Sequence, residues 1–131
     1  DGDCLGGVMS ERAVNRPALV GATLVGAVLQ LGMMVGGHFS APVANLLMVV
    51  GAGIAAVAGL LYGIWAGAVS SGSVAMAGAL AGVASALLGF LVAYLLGDIP
   101  ATILGPAMVG AALAGLLGGL LGSSLRRKEQ A

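Results

Sequence analysis

The sequence predicts an all-α integral membrane protein, a compact bundle of four transmembrane helices arranged as two helical hairpins. Composition is the first reason, since 60% of the 131 residues are hydrophobic and only 8% are charged. A soluble domain of this length leaves roughly a third of its chain surface in water, which so few charges cannot cover. The expected solvent, and the first expected partner, is therefore a lipid bilayer.

The position of the charges is the second reason, and the spacing of polar breaks is the third. Within residues 17–125 the only formal charge is that of Asp98. Three short breaks, GHFSAP, SSGS and GDIP, divide this interval into four segments, each near the roughly 20 residues that cross a bilayer as helix. The helices are predicted at about 17–36, 43–69, 74–96 and 101–122, in a transmembrane domain of residues 15–124. Residues 1–14 and 125–131 are predicted to be cytoplasmic tails.

Each predicted helix follows a residue that can cap it. Asn15 precedes Arg16 and Pro17 at the first helix, and a proline at the first helical position is favoured there. Ser40, Ser73 and Asp98 are the corresponding predicted N-caps of the later helices. Short helix-to-helix turns commonly combine such residues with glycine or proline.

The beginning of the chain carries less information. Met9 opens the stretch MSERAVNRP, which is typical of a natural start, so the alternative that residues 1–8 are not native stays open. Cys4 is the only cysteine, which excludes an intramolecular disulfide and a cysteine-rich metal cluster. The first apolar segment is long for a signal peptide and is expected to be an uncleaved anchor helix.

Orientation is predicted from the basic residues, all of which lie outside the first and last helices: Arg12, Arg16, Arg126, Arg127 and Lys128. Because basic residues stay in the cytoplasm, both termini are predicted to be cytoplasmic. That arrangement requires an even number of crossings, in agreement with four helices. The short loops are typical of a bacterial inner membrane protein.

Small residues recur every fourth position and form one face on each helix, including several GxxxG patterns. In lipid, such faces allow close van der Waals contact between helices, which replaces the hydrophobic effect. Two uses stay open, closing a single bundle or joining subunits or a membrane-protein partner. The predicted packing residues are Gly51, Ala55, Gly59, Gly63 and Gly67 on the second helix, Gly78 and Gly82 on the third, and Gly115 and Gly119 on the fourth.

A faint internal repeat relates residues 42–63 to residues 100–122, which both start with proline and have a similar spacing of glycines. If the repeat is genuine, it predicts two hairpins related by an axis along the membrane normal. Low sequence complexity is the alternative explanation. Either way, the turns that contain His38 and Asp98 are expected on the same, outer face.

The candidate polar site consists of His38, Asp98, Gln30, Asn45 and Tyr94. The simpler interpretation has a solvated His38, a capping Asp98, and a Gln30 that bonds a neighbouring helix. In the alternative, Asp98 holds His38 in one tautomer and forms a pH-sensitive gate at an outer mouth. Tyr62 and Trp65 are interpreted as anchors at the opposite interface.

An enzyme is not expected, because one histidine, one embedded acid and scattered serines form no catalytic constellation. The sequence predicts no metal site and no cofactor, and it has no basic surface for nucleic acid. The preferred hypothesis is a structural or accessory membrane protein that packs with itself or a partner through the small-residue faces. The alternative is a small oligomeric channel or transporter for a small solute, with His38 and Asp98 at its mouth.

Overall fold

The computed structural model describes residues 14–131, without the side chains of residues 43–45, and in that part the chain is helical with no strand. The elements are α1 (Arg16–Phe39), α2 (Ala41–Trp65), α3 (Ser71–Leu95) and α4 (Ala101–Gln130). All four contain a span long and apolar enough to cross a membrane. The predicted all-helical class with four such helices is confirmed. Arg12, Cys4 and the doubtful residues 1–8 lie outside the described residues.

The second helix ends earlier than the sequence predicts. Trp65 is the last residue of α2, and Gly67 adopts a φ of +72°, a left-handed conformation that side chains rarely permit. A Cβ at Gly67 would have no atom within 4 Å. The assignment of Gly67 to the packing face of the second helix is therefore wrong, because this glycine serves the turn after the helix.

The last helix is longer than predicted, since α4 continues to Gln130 instead of ending near residue 122. Residues 125–130 therefore extend the helix and do not form a separate tail. Leucine, arginine, lysine, glutamate and glutamine all have high helix propensity, and no glycine or proline follows Gly122 to end the helix. Arg127 and Lys128 lie in the last turn, where positive charge complements the helix dipole.

Of the predicted N-caps, Asn15 caps its helix with its side chain, whereas Ser73 and Ser40 do not. Asn15 is the N-cap of α1, and its side-chain oxygen accepts a hydrogen bond from the Ala18 amide at 3.2 Å. At α3 the cap is Ser70 and not Ser73, because the Ser70 hydroxyl accepts from the Ser73 amide at 3.4 Å. Ser40 occupies the N-cap position of α2 without a side-chain cap bond.

The helices pack with α2 and α3 in the middle, and α1 and α4 on opposite sides of that pair. Within residues 14–131, α1 makes no contact with α4, whereas α2 contacts α3. A two-fold axis along the membrane normal would exchange α1 with α3 and α2 with α4. The α1–α4 and α2–α3 contacts would then be equivalent. The two hairpins are therefore not related by such an axis, and the symmetric arrangement expected from the repeat is wrong.

Most of the predicted packing glycines lie where helix backbones meet. The carbonyl oxygen of Gly115 would be 2.6 Å from a Cβ built at Gly78, and that of Ala111 would be 2.6 Å from one at Gly82. Two further pairs form backbone contacts between α2 and α4, in which Gly59 faces Gly115 and Gly63 faces Gly119. These faces are therefore occupied by helices of the same chain.

The small-residue face of α2 does not meet a single neighbour along its length. Gly51 faces Gln30 and Met33 of α1, whose nearest atoms would lie 3.5 and 3.6 Å from an added Cβ. Ala55 is fully buried, and its carbonyl oxygen would lie 3.4 Å from a Cβ at Gly82 of α3. The face thus turns from α1 to α3 and α4 as the helix proceeds.

The bundle has a His38 end and an arginine end. The His38 end carries the turn at Ser40 and the turn at residues 96–100. The arginine end carries Asn15, the turn at residues 66–70 and the last turns of α4. Hydrogen bonds join the elements at the arginine end, from Asn15 Nδ2 to the Ala66 carbonyl at 3.3 Å and from Arg127 to Ser71.

Candidate functional site

The His38 end holds a direct contact between two of the predicted site residues. His38 Nδ1 lies 2.9 Å from Asp98 Oδ1 and 3.0 Å from Asp98 Oδ2. An ionised carboxylate can only accept hydrogen bonds, so Nδ1 carries the proton and donates it to Asp98. The pair joins the C-terminal end of α1 to the turn between α3 and α4, which lies 60 residues further along the chain.

Local backbone structure positions Asp98. After α3, Gly97 adopts a φ of +79°, its amide donates to the Tyr94 carbonyl at 3.0 Å, and the Asp98 amide donates to the Ala93 carbonyl at 2.9 Å. These two bonds are a Schellman motif, which ends the helix and turns the chain. Pro100, not Asp98, is the N-cap residue of α4, so the predicted capping role of Asp98 is wrong.

A cavity of about 230 Å³ adjoins the pair. Among the described residues of its lining, Asp98 is the only charged one, and the other side chains are apolar. A molecule in this cavity would therefore meet one carboxylate among mainly apolar groups. The lining residues are Gly37, Leu47, Met48, Phe90, Asp98, Ile99 and Ile103.

A second cavity of about 80 Å³ continues from the first toward the middle of the bundle. The two cavities share Met48 and Phe90, so they adjoin. The second cavity reaches Gly51 of α2, and it also touches Pro106, which interrupts the hydrogen bonding within α4 because proline has no amide hydrogen. Together the two cavities form a recess lined mainly by α2, α3 and α4, with Gly37 of α1 at its outer part, hereafter the outer recess.

Gln30 lies beside the inner end of the outer recess. Its side chain is fully buried, and its Nε2 donates to the carbonyl of Gly51 at 3.5 Å. Among the described residues, its Oε1 has no hydrogen-bond donor. Gly51 therefore contacts the second cavity on one side and the Gln30 amide on the other, without a side chain between them.

Of the two remaining predicted site residues, Tyr94 lies apart from this arrangement. The ring of Tyr94 is 46% exposed, and Tyr94 lines neither cavity of the outer recess. Asn45 belongs to α2, and its side chain lies outside the described part. Tyr62 is fully buried, so its interpretation as an interface anchor is wrong, whereas Trp65 is 46% exposed.

Sequence reasoning missed the apolar lining of the recess, including Leu47, Phe90 and Ile103. These residues carry no signal that distinguishes them from the lipid-facing residues on the same helices. Only their position against the His38–Asp98 pair identifies them. No known protein family, curated protein or solved structure matches this chain. What the recess can bind is therefore inferred from its own geometry.

Metal chemistry receives no support from the described part of the chain. Residues 14–131 contain no group of three or more His, Cys, Asp or Glu side chains that could hold a metal ion. The polar groups that border the recess are the imidazole–carboxylate pair at its mouth and the amide beside its inner end. Such groups can orient a small molecule by hydrogen bonds.

Proposed function

We propose that this protein is a non-catalytic membrane channel or transporter that admits a small solute through the outer recess. The observation that carries the proposal is the contact between His38 and Asp98 at the mouth of a recess that continues to Gly51. Small-molecule sites in proteins are mostly apolar and contain a few placed polar groups, as this recess does. The site lies within one chain and not between subunits.

The size and lining of the outer recess favour a small, neutral solute. The volumes of about 230 and 80 Å³ together only reach the lower limit of the roughly 300–1,000 Å³ typical of drug-sized sites. Neutral solutes can exchange water for backbone carbonyls and amide groups, which glycine exposes by lacking a side chain. Gly51 lines the inner end of the recess, and the Gln30 amide lies behind it and donates to its carbonyl.

We also infer the orientation, with both termini in the cytoplasm and the chain in a bacterial inner membrane. Four of the described basic residues, Arg16, Arg126, Arg127 and Lys128, lie at the arginine end, together with one acid, Glu129. Basic residues are retained on the cytoplasmic side of the membrane. The His38 end and the mouth of the recess then face outward.

Solute flux tests this proposal through two matched glycine variants of α2. Gly51→Ala would place a Cβ 3.5 Å from Gln30 Nε2, an ordinary contact that the fold tolerates, and it sets a methyl group against the amide beside the inner end of the recess. Gly53→Ala adds the same methyl group where no atom lies within 4 Å. Glycerol and urea entry into proteoliposomes, followed by light scattering, should fall several-fold for Gly51→Ala and stay unchanged for Gly53→Ala.

The same flux assay also tests the His38–Asp98 pair at the mouth of the outer recess. His38→Ala removes the ring that bonds Asp98 at the mouth, so solute flux through this variant should differ from that of the wild type. Equal flux in Gly51→Ala and the wild type would contradict the proposed pathway. So would entry no faster than into empty liposomes.

A structural or accessory role is the second candidate, and the open glycines of α1 favour it. Gly32 and Gly36 are spaced by four residues, and a Cβ at either would have no atom within 4 Å. This open glycine pair can accept a second helix closely, whereas the predicted packing face on Gly59 and Gly63 is already used within the bundle. The association partner would be a second copy or another membrane protein.

The mass of the protein in mild detergent tests this second candidate. Gly32→Leu should dissociate an oligomer joined through the open glycine pair and leave each bundle folded, because no described atom lies within 4 Å of a Cβ at that position. Gly53→Leu is the control on another exposed helix face. Native mass spectrometry that finds only monomers, or the same oligomer for both variants and the wild type, would rule out association through α1.

A further inference from the structure

The arginine end contains a third cavity, of about 380 Å³, that the proposed function does not use. The turn between α2 and α3 forms one wall of this cavity, and the last turns of α4 form the other. Its volume falls within the range of small-molecule sites. The lining residues are Ala68, Val69, Ser70, Arg126, Arg127 and Gln130.

Both arginines in this cavity are held by neutral groups. Arg127 Nη2 donates to the Ser71 hydroxyl at 2.7 Å, and Arg126 Nη1 donates to the Gly63 carbonyl at 3.4 Å. Among residues 14–131, the only ion pair is that of His38 with Asp98, so neither guanidinium has an acidic partner there. A guanidinium carries five N–H donors, which leaves several on each arginine for a ligand in the cavity.

The backbone beside the cavity adds to its positive potential. Ser70, which lines the cavity, is the N-cap of the 25-residue helix α3. The first amides of a helix have no acceptor within the helix, and the helix dipole makes this end partly positive. Two guanidinium groups and a helix N-terminus thus converge on one cavity, an arrangement that suits an anion with several acceptor oxygens.

The level of the cavity along the bundle identifies the source of such an anion. Trp65, at the end of α2 and 46% exposed, marks this end as an interface, where tryptophan is enriched in membrane proteins. The side chains of Leu121 and Leu125, exposed on α4 before the arginines, are aliphatic and can lie against acyl chains. Basic pockets between transmembrane helices at the cytoplasmic surface are suited to anionic headgroups.

We propose that this cavity binds the phosphate group of an anionic phospholipid, with the guanidinium groups of Arg126 and Arg127 donating to its oxygens. Arginine matches phosphate because two of its N–H groups can bond two oxygens in parallel. The site is independent of the outer recess, which lies at the opposite end of the bundle. A soluble phosphate shares the same chemistry and is distinguished from the lipid by the experiment.

Lipid titration of the full chain in phosphatidylcholine nanodiscs tests the site, with phosphatidylglycerol as the anionic probe and native mass spectrometry as the readout. Arg127→Gln removes one charge from the cavity lining, and Lys128→Gln removes one charge from the neighbouring position, which does not line it. Loss of charge-assisted bonds should weaken phosphatidylglycerol binding about tenfold or more for Arg127→Gln. Lys128→Gln should weaken it by no more than about fivefold, the effect of one basic residue near an anionic surface.

Further arms separate the remaining explanations. Arg127→Lys keeps the charge but not the planar fork of donors, so its affinity should fall between those of the wild type and Arg127→Gln. Equal losses in Arg127→Gln and Lys128→Gln would overturn the site in favour of diffuse attraction, as would equal binding of phosphatidylcholine and phosphatidylglycerol. Thermal stabilisation by millimolar inorganic phosphate, with none by phosphatidylglycerol, would overturn the lipid assignment and identify a soluble phosphate.

Discussion

At the scale of single residues, Gln30 and Tyr62 are the two side chains of the described part with a buried polar atom that has no hydrogen-bond partner, and Gln30 lies nearer the outer recess. It is fully buried, with one bond of 3.5 Å from Nε2 to the Gly51 carbonyl and, in the described part, no donor for Oε1. An unsatisfied buried acceptor costs about 1–3 kcal/mol. A leucine would avoid this cost, so the amide at this position is not explained by the stability of the bundle.

The His38–Asp98 pair also contributes little to stability. The two side chains are 38% and 27% exposed, and exposed ion pairs typically contribute about 0–1 kcal/mol. What the pair provides is position, since it ties the end of α1 to the turn before α4 and places a carboxylate at the mouth of the recess. The proposed solute pathway depends on this placement of the Asp98 carboxylate at the mouth.

At the scale of helices, the absence of side chains decides how closely the elements approach. Gly26 of α1 faces both Ala58 of α2 and Ser85 of α3, and a Cβ there would lie 2.8 Å from each Cβ. Backbones that approach this closely gain dispersion and weak Cα–H···O contacts, which replace the hydrophobic effect in lipid. We therefore infer that the glycines act mainly in closing the single bundle.

A comparison of two alanine variants measures this effect. Gly82→Ala would place a Cβ 2.6 Å from the Ala111 carbonyl oxygen, so α3 and α4 must separate, at a cost of about 1–3 kcal/mol. Gly53→Ala meets no atom within 4 Å and should leave stability unchanged or raise it by up to about 1 kcal/mol through helix propensity. Thermal unfolding in detergent, followed by circular dichroism, should show a lower midpoint for Gly82→Ala alone. Matching midpoints for the two variants would contradict close packing at Gly82.

At the scale of the whole molecule, the bundle is closed toward the arginine end and open toward the His38 end. Glycine contacts, such as Gly63 with Gly119, join the helices toward the arginine end. Larger side chains, including Met48, Phe90 and Ile103, separate them toward the His38 end and leave the outer recess. The outer recess therefore lies toward the His38 end, the side from which the proposed solute would enter.

The orientation proposed for the whole molecule predicts a specific pattern of thiol labelling. In a Cys4→Ser background, Ala101→Cys places a thiol at the His38 end and Ala68→Cys places one at the arginine end, both at exposed positions. A membrane-impermeant maleimide added to spheroplasts should label Ala101→Cys at once and Ala68→Cys only after permeabilisation, because the basic residues stay inside. The reverse pattern would show that the termini face outward, and immediate labelling of both would indicate mixed orientations.

The sequence by itself determined the class of the fold and the number of helices. Both follow from one-dimensional quantities, the length of apolar segments and the position of polar breaks, because a bilayer requires about 20 apolar residues per crossing and full backbone hydrogen bonding. Asn15 as a cap was also predictable, since capping is local. Helix ends were less so, as Gly67 and the helical residues 125–130 show, because apolar content does not distinguish helix from turn.

Only the tertiary structure decided which small faces are used within the chain, that α1 and α4 do not touch, and that His38 meets Asp98. Those features depend on how four nearly uniform apolar helices rotate and shift against one another. In lipid, the hydrophobic effect does not select one face of a helix over another, so the fit of glycine to backbone makes that choice. No local pattern predicts a fit between surfaces that are distant in the chain. The outer recess and the cavity lined by Arg126 and Arg127 could therefore be found only in the packed bundle.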